Sequence, residues 1–154
     1  MYAHGRGIAR DDEAAVKWFR LAANMDDPAA QCYLGVMYLE GRGVEKNEAE
    51  AVNLLQMAAL HGELHAQKNL GVMYLNGRGV KQDNAEAAQW FQRAAEQGDA
   101  LAQFHLGVSY AQGRGVDQDR EEASKWLTLA ALQGLDLAKD YLKANAIKSV
   151  KSGD

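Results

Sequence analysis

Apolar residues recur along this chain with two superimposed periods. Over short distances they fall at i, i+4, i+7 and i+8, as in Ala30, Leu34, Met37 and Tyr38, and a second stripe runs through Ala15, Trp18, Phe19 and Ala22. Such spacing gathers side chains on one face of an amphipathic helix. Over longer distances the stripes themselves return every 36 residues: Ala87, Trp90, Phe91, Ala94 and Ala123, Trp126, Leu127, Ala130 repeat the second one. Leu34-Gly35, Leu70-Gly71 and Leu106-Gly107 keep the same register, as do Tyr2, Tyr38, Tyr74 and Tyr110 and the alanine pairs ending at Ala23, Ala59, Ala95 and Ala131. A fixed period of this size marks stacked structural repeats. The pattern predicts an all-α fold in which each row of 36 residues is a helix hairpin whose apolar faces meet.

The polar punctuation agrees. Gly5-Arg6-Gly7-Ile8, Gly41-Arg42-Gly43-Val44, Gly77-Arg78-Gly79-Val80 and Gly113-Arg114-Gly115-Val116 are expected to end the first helices, since glycine accepts the left-handed conformation of a helix C-terminus. Pro28 suits a first turn, where a missing N–H is harmless. Asp11, Asn47, Asp83 and Asp119 read as N-caps of the second helices, with Glu50, Glu86 and Glu122 at the capping-box position. Gly62, Gly98 and Gly134 close them. The chain thus parses as one solenoid domain over 1–154: a partial repeat at 1–26, full repeats at 27–62, 63–98 and 99–134, and a degenerate capping helix and tail at 135–154.

Both ends are irregular. The last row keeps Ala138 and Leu142 but has Lys143 where the others have glycine and Ala146 where they have tyrosine, and with Lys139, Asp140 and Lys148 it reads as a polar closing face ahead of a tail from Ser149. At the other end Met1-Tyr2 stands in register with Met37-Tyr38, midway through a first helix. The first hairpin is therefore incomplete and should expose the apolar face of Ala15 to Ala23, which suggests a homo-oligomer through the N-terminal rows, or upstream repeats in a longer parent.

Composition narrows the function classes. With 17 basic against 21 acidic residues and a net charge of −4, the chain lacks the basic excess that phosphate-backbone binding needs, so nucleic acid is not expected as a partner. No apolar run is long enough to span a bilayer, so no membrane insertion is expected, and the first residues do not read as a leader. Composition leaves the compartment open. Cys32 is the single cysteine, which rules out an internal disulfide.

The row Ala66-Gln67-x-x-Leu70-Gly71-x-x-Tyr74-x-x-Gly77-x-Gly79-Val80-x-x-Asp83-x-x-x-Ala87-x-x-Trp90-Phe91-x-x-Ala94-Ala95-x-x-Gly98 resembles a Sel1-like repeat. Leu54, Asp26 and Asn47 depart from the family pattern, which has an aromatic residue, glycine and aspartate there. The resemblance implies a right-handed superhelical solenoid related to tetratricopeptide arrays, acting as an adaptor in protein complexes, commonly bacterial. It also implies that the first helices line a concave face. On that face it would place Cys32, Val36 and Leu39, then Lys68, Val72 and Leu75, then Leu101, Phe104 and Val108. Val36, Val72 and Val108 make an apolar strip with Leu39 and Leu75, flanked by positions that differ from row to row, and together they suggest a groove for an extended peptide or amphipathic helix anchored near Phe104.

Catalysis fits poorly. The chain has no Gly-x-Ser-x-Gly, Ser-x-x-Lys or His-Glu-x-x-His, so a hydrolase or β-lactamase-like, cell-wall-related activity is the alternative and not the first reading. A structural or oligomerisation segment of a longer repeat protein is the third. The Gly-x-Gly lacks the strand and third glycine of a nucleotide loop. His61 and His65 have metal-pair spacing, but Gly62 breaks the helix between them, so no metal or cofactor is expected. Cys32 reads as a packing or groove residue and not a nucleophile. The repeated arginines suit the inter-helix turn better than a ladder for an acidic partner.

Overall fold

The computed structural model describes the backbone of residues 3–152 and the side chains of 11–146. Among the described residues it is helical throughout, with no strand: α1 (Ala3–Ala23), α2 (Pro28–Glu40), α3 (Glu48–Leu60), α4 (Leu64–Asn76), α5 (Asn84–Glu96), α6 (Ala100–Gln112), α7 (Arg120–Leu132) and α8 (Asp136–Ser152). The helices belong to two compact units, Met1–Gln82 and Asp83–Asp154. In the first, Val16 and Ala23 of α1 pack with Ala30, Leu34 and Met37 of α2 and Leu54 of α3. In the second, Phe91, Leu106, Leu127, Ala130 and Ala138 are buried, so α5 to α8 all contribute.

The second helices start as expected. Asn47, Asp83 and Asp119 accept at their side-chain oxygens from the N–H groups of Glu50, Glu86 and Glu122. The return arm of the capping box is not used. The N–H groups of Asn47 and Asp119 donate instead to the carbonyls of Tyr38 and Tyr110, at 2.9 and 3.0 Å. The loop folds back so closely that a backbone acceptor reaches the donor first, and Glu122 accepts from the Trp126 indole at 3.1 Å. The first helices have caps of their own, Asp27, Glu63 and Asp99, each taking an N–H of the opening turn.

Two glycines do separate jobs in each turn. Gly41, Gly77 and Gly113 are left-handed and close their helices. The glycine two places on abuts the start of the preceding second helix: a Cβ on Gly79 would lie 2.5 Å from the Glu48 carbonyl oxygen, and one on Gly115 would overlap the Asn84 carbonyl. The turns thus seat each hairpin on the one before. This accounts for a correction at the N-terminus. Gly5-Arg6-Gly7-Ile8 forms no turn, and α1 runs unbroken from Ala3, so Asp11 lies inside a helix and caps nothing. No earlier helix lies among the described residues for that turn to settle on, and without such a seat the backbone keeps its helical hydrogen bonds. Tyr2 lies outside the described residues.

At the other end α8 is helical to Ser152, past the expected start of the tail at Ser149. Gly35 and Gly107 admit the leucines of the following helix so closely that a Cβ would sit 2.9 Å from Leu55 and 2.7 Å from Leu127. Lys143 holds that register position in α8. A lysine there cannot admit a leucine as closely as glycine does.

Candidate functional site

Successive rows are joined by a polar stitch. Gln31, Gln67 and Gln103 are buried, and each side-chain amide donates to a carbonyl eight residues earlier, at Ala23, Ala59 and Ala95. A buried amide is tolerated only when hydrogen-bonded, and here it ties the end of one second helix to the next first helix. Lys139 occupies the position in the last row. The turn arginines add a second tie. Arg42 donates to Asp12 at 3.1 Å and Arg78 to Glu48 at 3.0 Å, each spanning 30 residues. Facing Asp12, with Glu40 also beside it, holds the Arg42 guanidinium above its ordinary range. These arginines serve the turn.

The candidate groove positions lie on the first helices, outside this framework. In the N-terminal unit α2 carries Val36 and Leu39, and α4 carries Lys68, Val72 and Leu75; all are half-buried. In the C-terminal unit α6 carries Leu101, Phe104 and Val108, also half-buried. Phe104 meets His105 and Tyr141 of α8 edge-on, with ring centroids 5.6 and 6.2 Å apart. His105 stacks on Phe91 at 4.6 Å, and burial lowers its pKa, so the ring is a neutral packing element.

Cys32 departs from the expected groove. It is buried at 5% exposure. Burial, with a hydrogen bond to Glu63 and that carboxylate's charge, pushes its thiol up to about 12. Thiolate is the reactive form, so this is an inert packing group. Its neighbours Gln31 and Gly35 are buried as well: α2 packs on two sides, and its covered face is wider than one apolar stripe. His61 and His65 fall on either side of the break, His61 as the C-cap of α3 and His65 in α4. His61 uses Nδ1 on the Met57 carbonyl at 2.9 Å.

The face from Ala15 to Ala23, expected to be open, is open at Trp18 and Leu21 and covered at Ala23. Trp18 of the second-helix stripe is 73% exposed, and Leu21, Met25 and, on α2, Tyr33 are exposed as well. Tyr33 stacks on Phe19 at 5.2 Å. The signal was the incomplete first row: the hairpin partner that would cover Trp18 is not among the described residues.

Comparison with known proteins follows the same rows. The Sel1 repeat model matches residues 1–27, 28–63, 64–99 and 100–135. A protective antigen of uropathogenic Escherichia coli with an SLR fold is similar over 80% of this chain, with 38% identity and a TM-score of 0.76; the match spans 26% of that protein. A Sel1 repeat protein of Oxalobacter formigenes is similar over 82% of this chain and 95% of its own, with 42% identity and a TM-score of 0.76. Cysteine-rich protein B of Helicobacter pylori, 23% identical with a TM-score of 0.67, shares the fold over 87% of this chain and 96% of its own. No curated protein matches the chain by sequence.

Proposed function

Because the chain belongs to the Sel1 repeat family, whose members generally mediate contacts between proteins, we propose that it is a non-catalytic binding module presenting its first-helix face to a peptide or protein. The observation that carries this reading is a division of labour. Residues repeated in register are used up in stitches and turns: Gln31, Gln67 and Gln103 bond backbone carbonyls, and Arg42 and Arg78 bond carboxylates. The candidate groove residues take no part in those bonds: Val36, Val72 and Val108 recur as an apolar strip with Leu39 and Leu75, Lys68, Leu101 and Phe104 differ from their counterparts in other rows, and all keep part of their surface in water. Within each unit, apolar surface left half-open on the first helices suits an amphipathic helix or extended segment. Among the described residues no helix is long and apolar enough to cross a membrane.

The test is a pair of variants scored for folding and binding together. Val72→Asp and Phe104→Ala are expected to keep the thermal unfolding midpoint within a few degrees and to abolish capture of a partner identified with the parent chain. A large fall in the midpoint would show that these side chains are core. In the same preparation, hydrolysis of a β-lactam should stay at the buffer rate.

A second reading rests on the open face of α1. Trp18, Leu21 and Met25 are the large apolar residues left uncovered along one helix and its exit, and such a patch invites self-association. Sedimentation of the parent chain should then depend on concentration and become that of a monomer on Trp18→Glu. A parent chain that is monomeric at all concentrations sinks this reading and leaves the first untouched.

A further inference from the structure

A different face of the C-terminal unit carries a groove that neither the first-helix face nor the stitches use. Ala85, Ala88, Gln89, Gln92 and Arg93 of α5 and Gly115 and Val116 of the turn after α6 enclose about 280 Å³ of open, largely apolar space. Three register positions explain why it is there. The residue at the floor is Ala88, buried, where rows one and two have Val16 and Val52, also buried. Alanine takes up less room there than those valines do. On its wall stands Arg93, where those rows have Leu21 and Met57. Arg93 lies over the Trp90 ring with its guanidinium carbon 4.8 Å from the centroid, so a cation is held at the edge.

The third position sets the charge. In the first two turns the arginine meets a carboxylate thirty residues back, Asp12 for Arg42 and Glu48 for Arg78. The residue thirty places before Arg114 is Asn84, which carries no charge. The backbone relation is unchanged, because Gly115 abuts Asn84 as Gly79 abuts Glu48. Arg114 is exposed, and among the described residues no carboxylate pairs with it. Its neighbours Gly115 and Val116 line the groove, as does Ala85 beside Asn84. The same spot therefore combines a hollow, a cation on one wall and an arginine whose family of turns is built to hold a carboxylate.

We propose that this groove binds a short acidic and apolar segment of a partner protein, whose Asp or Glu side chain takes at Arg114 the place that Asp12 and Glu48 hold at the other turns, while an apolar neighbour fills the space above Ala88. The occupant is identified by charge complementarity: Arg93 is the one charged residue lining the groove, Arg114 adjoins it, and both are cationic. The side-chain carboxylate is the chemistry the scaffold itself uses there. The site lies on α5 and the turn after α6, so it stands or falls apart from the first-helix reading.

The probe is a fluorescein-labelled peptide of alternating leucine and glutamate with both ends blocked, titrated with the full chain and followed by anisotropy. Replacing glutamate by glutamine in the peptide, or Arg114→Gln in the protein, should weaken binding about tenfold, the effect of losing one charge-assisted bond. Ala88→Val should weaken it as much, and it should still fold because valine fits this register position at 16 and 52. Asn84→Asp should also weaken it, since the chain then supplies its own carboxylate to Arg114. Val72→Asp should leave the affinity unchanged. Absence of binding, equal affinity for the glutamine peptide, or indifference to Ala88→Val in a protein with an unaltered melting curve would overturn the proposal. A loss caused by Val72→Asp alone would overturn it too and assign the peptide to the first-helix face.

Discussion

Trp18 in α1 and Trp126 in α7 stand at one register position, and 73% of the first is in water against 6% of the second. Trp126 has α6 of its own hairpin beside it, donates its indole N–H to Glu122 and lies under the Lys125 ammonium, 4.7 Å from the ring centroid. Trp18 has α2 on one side and none of the described helices on the other. The same residue in the same repeat is a core anchor in one place and a surface group in the other. In a repeat array the energy of a position belongs to its neighbour as much as to itself. Trp126→Ala should therefore cost about 3–5 kcal/mol in denaturant unfolding, and Trp18→Ala less than about 0.5 kcal/mol, as for an ordinary surface change. If Trp18→Ala proved as costly at high protein concentration and cheap at low, α1 would be covered in solution by a second copy.

The glycines sharpen the contrast between seated and open backbone. Gly115 and Gly134 both have positive φ, 74° and 92°, but a Cβ on Gly115 would enter the Asn84 carbonyl while one on Gly134 meets nothing within 4 Å. Gly134→Ala carries only the conformational cost, about 1–2 kcal/mol. Gly115→Ala adds an overlap with rigid backbone, for a total of roughly 3 kcal/mol. Equal melting temperatures for the two variants would show that the turn does not seat one hairpin on the next.

A smaller difference separates the stitches. Gln133 donates from Nε2 to Gln103 Oε1 at 2.8 Å and to the Gly98 carbonyl at 2.8 Å. The residue thirty places after Gln31 is His61, whose ring is turned to Met57, and Gln31 Oε1 is buried without a partner. The two C-caps have nearly the same backbone, φ −88° and ψ 9° at His61, φ −80° and ψ −1° at Gln133. His61→Gln should thus stabilise the chain by about 1 kcal/mol, read as a shift of the denaturant midpoint at constant slope. No gain would mean that Gln31 is satisfied by water.

These contrasts also show what could be read in advance. Helices, caps at Asn47, Asp83 and Asp119, and closing glycines were legible because each depends on residues within one turn. Features that join positions 30 residues apart were not: the Arg78–Glu48 pair, the seating of Gly79 and the Gln133–Gln103 bond need the stacking of rows before they exist. Cys32 was misplaced for a related reason. An amphipathic stripe describes a helix with one covered side, and α2 is covered on two, by α1 and by α3. The turn expected at Gly5 does not form because its local signal was not joined by a helix to settle on among the described residues.

The arginines provide the finest test of the comparison. Arg78 pairs with Glu48 at 3.0 Å while its side chain is 42% exposed, so water and salt screen the bond and its removal by Arg78→Gln should cost under about 1 kcal/mol. The residue thirty places before Arg114 is Asn84, and Arg114→Gln should leave stability unchanged. The difference between the two variants should shrink as sodium chloride is raised, because screening acts on the paired arginine alone. Asn84→Asp should transfer the salt-sensitive increment to the C-terminal unit. A salt-independent difference would mean that Arg78 contributes by packing its aliphatic stem and not by its charge, and the carboxylate would then not be what the turn selects.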